Sequence, residues 1–367
     1  MELLDVGRIV LGVILLVGGG ELLVRGASSL AVRAGMSSLV VGLTVVAAAT
    51  SAPELAVTTG AVLDGETALA IGNVVGSNIA NVLLILGISA LAAPLVVRRV
   101  LVRMDVPVLV GLSLLTLVLA LDGEIGRGDG VVLLVLLVAH AAVAIVVSRR
   151  DPIVAGEQPA AEDSSGPGVL VSVALVVIGV GLLVLGARVL VAGAVSIATG
   201  LGVSGLVVGL TVVAVGTSLP ELATSVIATI RGERDLAVGN IVGSCIFNLG
   251  MVLGLPALLA PGGLAVPAAA VALDLPLMIA TAVALAPVVF TGYRVGRREG
   301  GLFLLLYAAY VGYVVLDATS HDALEGFTTI MVIFVLPLVV LALVGAVAYD
   351  LGRRKERRLA ARAQPSD

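Results

Sequence analysis

Charged residues are scarce in this chain, and cysteine and histidine are nearly absent. Asp, Glu, Lys and Arg make up only 13% of the 367 residues, too few to cover a soluble protein of that length. The single cysteine, Cys245, excludes an intrachain disulfide and any multi-cysteine metal site. The two histidines, His140 and His321, have no metal-ligand neighbour pattern. H-E-x-x-H, a nucleophile elbow and paired catalytic aspartates are all missing, so no catalytic residue and no cofactor are expected. No polar stretch is long enough to fold as a separate soluble domain.

What is present is apolar. Hydrophobic residues make up 59% and mean hydropathy is +1.20. Runs of about 18 or more apolar residues recur, each enough to cross a bilayer as a helix, and 45 glycines suit tight helix contacts there. The pattern predicts an all-α polytopic membrane protein with eleven spans. They lie near 6–24, 37–61, 67–92, 105–121, 130–148, 169–187, 204–229, 236–260, 269–290, 301–317 and 328–349. The first apolar run, Ile9 to Val17, follows acidic Glu2 and Asp5 without an A-x-A pattern and reads as a span rather than a leader. The polar linker 149–168 divides five spans, 1–148, from five more, 169–317; 318–367 adds a further span and a basic tail.

Eighteen of the 21 basic residues fall in alternate loops and the tail. The opposite loops are acidic where charged, with Asp64, Glu66, Asp122 and Glu124. A basic bias of this kind places the N-terminus outside and the C-terminus in the cytoplasm of a cell-membrane protein. Five spans per half make the halves inverted, an arrangement of many secondary transporters.

A 40-residue segment occurs twice. Gly42 to Asn81 returns as Gly209 to Asn248 at a constant offset of 167, with 24 identities and no gap, which marks a duplication. Each copy holds T-S-x-P-E: Thr50, Ser51, Pro53 and Glu54, then Thr217, Ser218, Pro220 and Glu221. Threonine and glutamate four apart share a helix face. The proline removes a donor from the turn before it, and such breaks survive in membranes where they face a cavity or an ion. Each copy also holds G-N-x-x-G-S-x-x-x-N, with Asn73, Ser77 and Asn81, then Asn240, Ser244 and Asn248. Ser77 with Asn81 and Ser244 with Asn248 again share faces, whereas Asn73 and Asn240 read equally well as interhelical glue. Hydroxyl, amide and carboxylate oxygens form a hard ligand set suited to Ca²⁺ or Na⁺. A charged glutamate at mid-membrane costs at least ~2.5–3.5 kcal/mol, so Glu54 and Glu221 need a cation or a proton.

Other polar residues carry less. Asp105 and Asp274 each precede a proline by two residues and read as helix caps. Glu21 and Arg188 are repeat equivalents that inversion puts at opposite faces. Cys245 stands where the first copy has Asn78 and reads as packing.

These motifs resemble the alpha-repeats of the sodium/calcium exchanger family, over roughly residues 1–317. The resemblance implies that Glu54 and Glu221 are the central cation ligands. Thr50, Ser51, Ser77, Asn81, Thr217, Ser218, Ser244 and Asn248 would complete the sites, with the carbonyls of Ala47 and Ala214. It also implies ten core helices, a central diamond of four repeat helices, and a first-and-sixth helix pair that slides. Potassium-dependent relatives have an aspartate at the position of Asn248, so exchange without K⁺ is expected. Proton-coupled relatives carry G-N-A-A-E instead of T-S-x-P-E. The function expected is Na⁺/Ca²⁺ antiport by alternating access. The alternatives are a Ca²⁺/H⁺ exchanger on the same scaffold and, further off, a cation channel. The expected partners are the ions and membrane lipids, with no nucleic acid; a single copy would suffice, though an oligomer stays open.

Overall fold

The structure is a computed structural model that describes residues 3–150, 168–202, 211–212, 214–290, 292–345, 348 and 352. It is all-α apart from two short ribbons. The helices of the first half are α1 (Leu3–Arg33), α2 (Ser38–Thr50), α3 (Ala52–Leu63), α4 (Thr67–Ala92), α5 (Leu101–Leu119) and α6 (Arg127–Arg150). The second half has α7 (Val169–Gly200), α8 (Ala214–Thr217), α9 (Leu219–Ile230), α10 (Arg234–Leu259), α11 (Ala270–Phe290) and α12 (Arg297–Ala318). A last helix, α13 (Ala323–Gly345), follows. Among the described residues nine single helices are long and apolar enough to cross a bilayer, and α2 with α3 forms a further span bent by 44°. The corresponding broken span of the second half is α8 with α9; most of its lead-in lies outside the described residues, as do most of the 149–168 linker and the basic tail.

Two ribbons show that the halves are inverted. Strand β1 (Leu95–Val96) pairs antiparallel with β4 (Arg294–Val295), and β2 (Glu124–Ile125) with β3 (Leu264–Ala265). Each ribbon joins the loop after the third span of one half to the loop after the fourth span of the other. The same loop of the two copies therefore lies on opposite faces. The β1–β4 face carries Arg98, which binds Asp235 at 2.7 Å, together with Arg231 and Arg294; it is the basic face. The β2–β3 face carries Asp64, Asp122 and Glu124 and is the acidic one.

The sequence pattern underestimates α1 and α7, expected at 6–24 and 169–187. They run for 31 and 32 residues, about 46–48 Å at 1.5 Å per residue, well beyond a ~30 Å hydrocarbon layer. Arg25 and Arg188 thus sit within helices rather than loops. The two helices pack antiparallel along glycines seven residues apart: Gly12, Gly19 and Gly26 against Gly179, Gly186 and Gly193. A methyl group at Gly19 would lie 2.7 Å from the Gly179 carbonyl oxygen, and one at Gly186 2.9 Å from that of Gly12. Backbone-to-backbone contact along this stripe holds the two long helices together.

Helices α4 and α10 lie at the centre and are buried over most of their length, while α12 is mostly half-buried and α13 has no fully buried residue among those described. Crossing at α10 is close: a methyl at Gly243 would lie 2.6 Å from Leu43 Cα of α2. Widened π-helical turns recur at equivalent places, Asn81–Ile85 in α4 and Asn248–Leu253 in α10, and again at Leu101–Asp105 and Ala270–Asp274. Such turns expose backbone and re-aim side chains, and they gather at functional sites.

Candidate cation site

The break predicted at each T-S-x-P-E is present. Ser51, with φ −79° and ψ 7°, and Ser218, with φ −88° and ψ 7°, leave the helical conformation, and α3 and α9 restart with Pro53 and Pro220 in their first turns. The proline has no N–H to lose there, so it fits the restart at little cost. The kink turns both serines and the glutamates three residues on toward the middle of the molecule.

The two copies meet there and exchange hydrogen bonds. Ser51 Oγ donates to Glu221 Oε1 at 3.1 Å, and Ser218 Oγ donates to Glu54 Oε1 at 3.2 Å. Each carboxylate is therefore held by a hydroxyl from the other half. Thr50, Ser51, Glu54, Ser77, Asn81, Ser218, Glu221, Ser244 and Asn248 are all buried, none more than 3% exposed. Thr50 Oγ1 donates to Asn240 Oδ1 at 3.2 Å and lies 3.5 Å from Ser244 Oγ.

The remaining oxygens set the chemistry. Glu54 Oε2, Glu221 Oε2, Ser77 Oγ, Asn81 Oδ1 and Asn248 Oδ1 are buried and have no hydrogen-bond partner among the described residues. Buried polar atoms without partners are rare and costly. A cluster of them around two carboxylates, all hard oxygens, is a ligand set for a desolvated cation of the Ca²⁺ or Na⁺ type. Among the described residues no cluster of three His, Cys, Asp or Glu exists.

Not every expected residue stands at the centre in the same way. Thr217 is half-buried and lines a cleft of about 430 Å³ with Pro53, Ala56, Arg188 and Gly216. The Ala47 carbonyl already accepts the Ser51 N–H at 3.0 Å, with the Thr50 hydroxyl at 3.4 Å. Ala214 opens the short α8, which Thr217 ends. Asn73 and Asn240 act as glue: Asn73 Nδ2 donates to Thr58 Oγ1 at 2.9 Å and Asn240 Nδ2 to Ser225 Oγ at 3.0 Å. Thr58 and Ser225 belong to neither motif, although they too are 167 apart.

The capping role expected of Asp105 is not what the structure shows. Its side chain makes no cap bond; it is fully buried with His140 Nε2 3.4 Å from its Oδ1. Asp105 closes a π-helical turn, which rotates its side chain inward from where a regular helix start would leave it. Asp274, half-buried, closes the equivalent turn. Glu21 pairs with Arg231 and not with Arg188. Cys245 is buried, 3.9 Å from the Asn78 carbonyl, and packs as expected.

Comparison with known proteins accords with this geometry. The family described as sodium/calcium exchanger protein matches residues 4–146 and 171–316, which leaves out α13. The inner membrane protein YrbG of Escherichia coli K12 is 36% identical over 265 residues, or 71% of this chain and 81% of that protein. The sodium/calcium exchanger MaX1 of Methanosarcina acetivorans is 31% identical over 339 residues, or 83% of this chain and 96% of that protein. A solved structure of the sodium–calcium exchanger NCX_Mj, soaked with Na⁺ and Sr²⁺, matches with a TM-score of 0.72 at 32% identity, covering 85% of this chain and 99% of that one.

Proposed function

The chain belongs to the sodium/calcium exchanger family, and from that premise we propose that it exchanges Na⁺ for Ca²⁺ by alternating access, without K⁺. Antiport of a cation against Ca²⁺ follows from the family; Na⁺ as the driving ion is the finer reading. It is supported by one observation above all: two carboxylates from inverted copies, each held by the other half's serine, each with a partnerless buried oxygen. Ca²⁺ between Glu54 and Glu221 balances two negative charges, and Na⁺ ions occupy overlapping oxygens of Ser77, Asn81, Ser244 and Asn248. Ions that share ligands exclude each other, and each then drives the other's release.

The proposal needs no catalytic group and no resident cofactor. The T-S-x-P-E units in both halves support Na⁺ over H⁺ as the driving ion. Asn248, an amide where a carboxylate would add a charge, supports independence from K⁺. The basic face is taken as cytoplasmic, with the N-terminus outside.

The test is ⁴⁵Ca²⁺ uptake into proteoliposomes preloaded with Na⁺, with and without K⁺, and with a pH gradient in place of the Na⁺ gradient. Uptake driven by Na⁺ and indifferent to K⁺ is expected. Uptake that follows only the pH gradient would replace Na⁺ by H⁺. In Asn248→Asp the same assay should acquire K⁺ or proton sensitivity.

A further inference from the structure

Positions 167 apart would have like surroundings if the two halves were in the same state, and around α1 and α7 they do not. On the basic face α1 is closed onto α9. A methyl at Gly20 would lie 2.5 Å from Ile227 Cδ1 and 3.5 Å from the carbonyl of Ala223. One residue on, Glu21 is ion-paired with Arg231, which caps the C-terminal end of α9. On the acidic face the equivalent surfaces stand apart. Ala187 and Arg188, the counterparts of Gly20 and Glu21, face Pro53 and Ala56 across the open cleft that reaches Thr217. Asp64, the counterpart of Arg231, caps the C-terminal end of α3. Both Arg188 and Asp64 are exposed, and among the described residues no ion pair joins them.

The charges are exchanged between the faces. On the basic face the acid is on α1 and the base on α9; on the acidic face the base is on α7 and the acid on α3. Glu21 and Arg188 also ride on one unit, because the glycine stripe binds α1 to α7 along their length. A shift of that pair against α3 and α9 separates one acid and base as it brings the other two together.

We propose that Glu21–Arg231 and Arg188–Asp64 are alternate gate latches, the first closed while the site opens to the acidic face, the second closed while it opens to the basic face. The inference rests on the alternating-access reading above. Half-exposed ion pairs are weak, and loss of one changes an equilibrium by about fivefold or less. That strength suits latches that must open once per cycle.

Two reporter cysteines related by the same offset, Ala56→Cys in the cleft and Ala223→Cys against Gly20, read the equilibrium in purified protein in nanodiscs. Each is placed in a Cys245→Ala background and reacted with a maleimide. Glu21→Gln and Arg231→Gln should raise the labelling rate at Ala223→Cys about two- to fivefold and lower it at Ala56→Cys. Arg188→Gln and Asp64→Asn should lower it at Ala223→Cys by a similar factor. The exchanges Glu21→Arg with Arg231→Glu, and Arg188→Asp with Asp64→Arg, should restore wild-type rates that the single reversals lose. The proposal is overturned if Arg188→Gln moves labelling in the direction of Glu21→Gln, or if Arg188→Gln and Asp64→Asn leave Ala223→Cys unchanged. The Ala56→Cys arm checks a reporter that disturbs packing at Gly20. ⁴⁵Ca²⁺ uptake by the same variants separates the two readings. Opposed labelling shifts without Na⁺-driven uptake sink Na⁺/Ca²⁺ antiport alone, whereas uptake without opposed shifts sinks the latches alone.

Discussion

The two copies of the repeat are alike in sequence and unlike in setting. At the centre they are equivalent: Ser51 holds Glu221 and Ser218 holds Glu54 at nearly equal distances. Away from the centre they diverge. Thr50 is sealed against Asn240 and Ser244, while Thr217 stands half-buried on a cleft. On the proposed mechanism one duplicated unit thus supplies both a fixed part and a moving part. The centre must look the same from either side, since the same ion is met there from both. The flanks must differ, since a site open on both faces at once would leak.

The comparison breaks most visibly at the carboxylates. Glu54→Gln and Glu221→Gln should each abolish Na⁺-driven Ca²⁺ uptake, by about 100-fold or more, because a neutral ligand leaves the cation's charge half balanced in a medium that solvates it poorly. Wild-type-like flux from either variant would end the case for a shared two-carboxylate site. Next come the cross-bonds. Ser51→Ala and Ser218→Ala each remove a hydrogen bond to a charged group, about 1.5–3 kcal/mol, so Ca²⁺ affinity should move by roughly ten- to a hundredfold. Equal shifts in the two are expected, and calorimetric titration with Ca²⁺ would expose any inequality.

A smaller effect tests the moving part. Gly186→Val forces a side chain against the backbone of α1, an overpacking of about 1–3 kcal/mol. It should lower the melting temperature in detergent. Gly181→Val, where nothing lies within 4 Å of the added carbon, should not. Thr50→Ala removes a buried neutral hydrogen bond of about 1 kcal/mol and should destabilise the protein by that much. Thr217→Ala, at a half-buried position on the cleft wall where water can reach what the side chain leaves, should destabilise it less, and thermal unfolding of the two side by side would check the contrast.

Much of the centre is legible in the sequence. The doubled T-S-x-P-E and G-N-x-x-G-S units name nearly every residue there, because a duplicated polar patch has little other reason to persist in apolar sequence. The halves of the chain follow from alternation of arginine-bearing loops. Other features are hidden. Thr58 and Ser225, which hold Asn73 and Asn240, read as ordinary helix threonine and serine. The inward turn of Asp105 toward His140 depends on a π-helical turn that an X-x-Pro pattern does not announce. The lengths of α1 and α7 escape a hydropathy reading because Arg25 and Arg188 look like loop charges, whereas a glycine stripe can hold a helix together across such residues.

Composition and repetition alone determined the class of protein, the inverted duplication and which polar oxygens are buried together, since bilayer burial demands particular residue types. Tertiary structure alone decided that each serine serves the other half's glutamate, and that one face is closed while the other is open. Hydrophobicity and motif spacing are the same for both states of a two-state carrier. Which surfaces touch is set by packing between distant segments, and that is where Glu21 found Arg231.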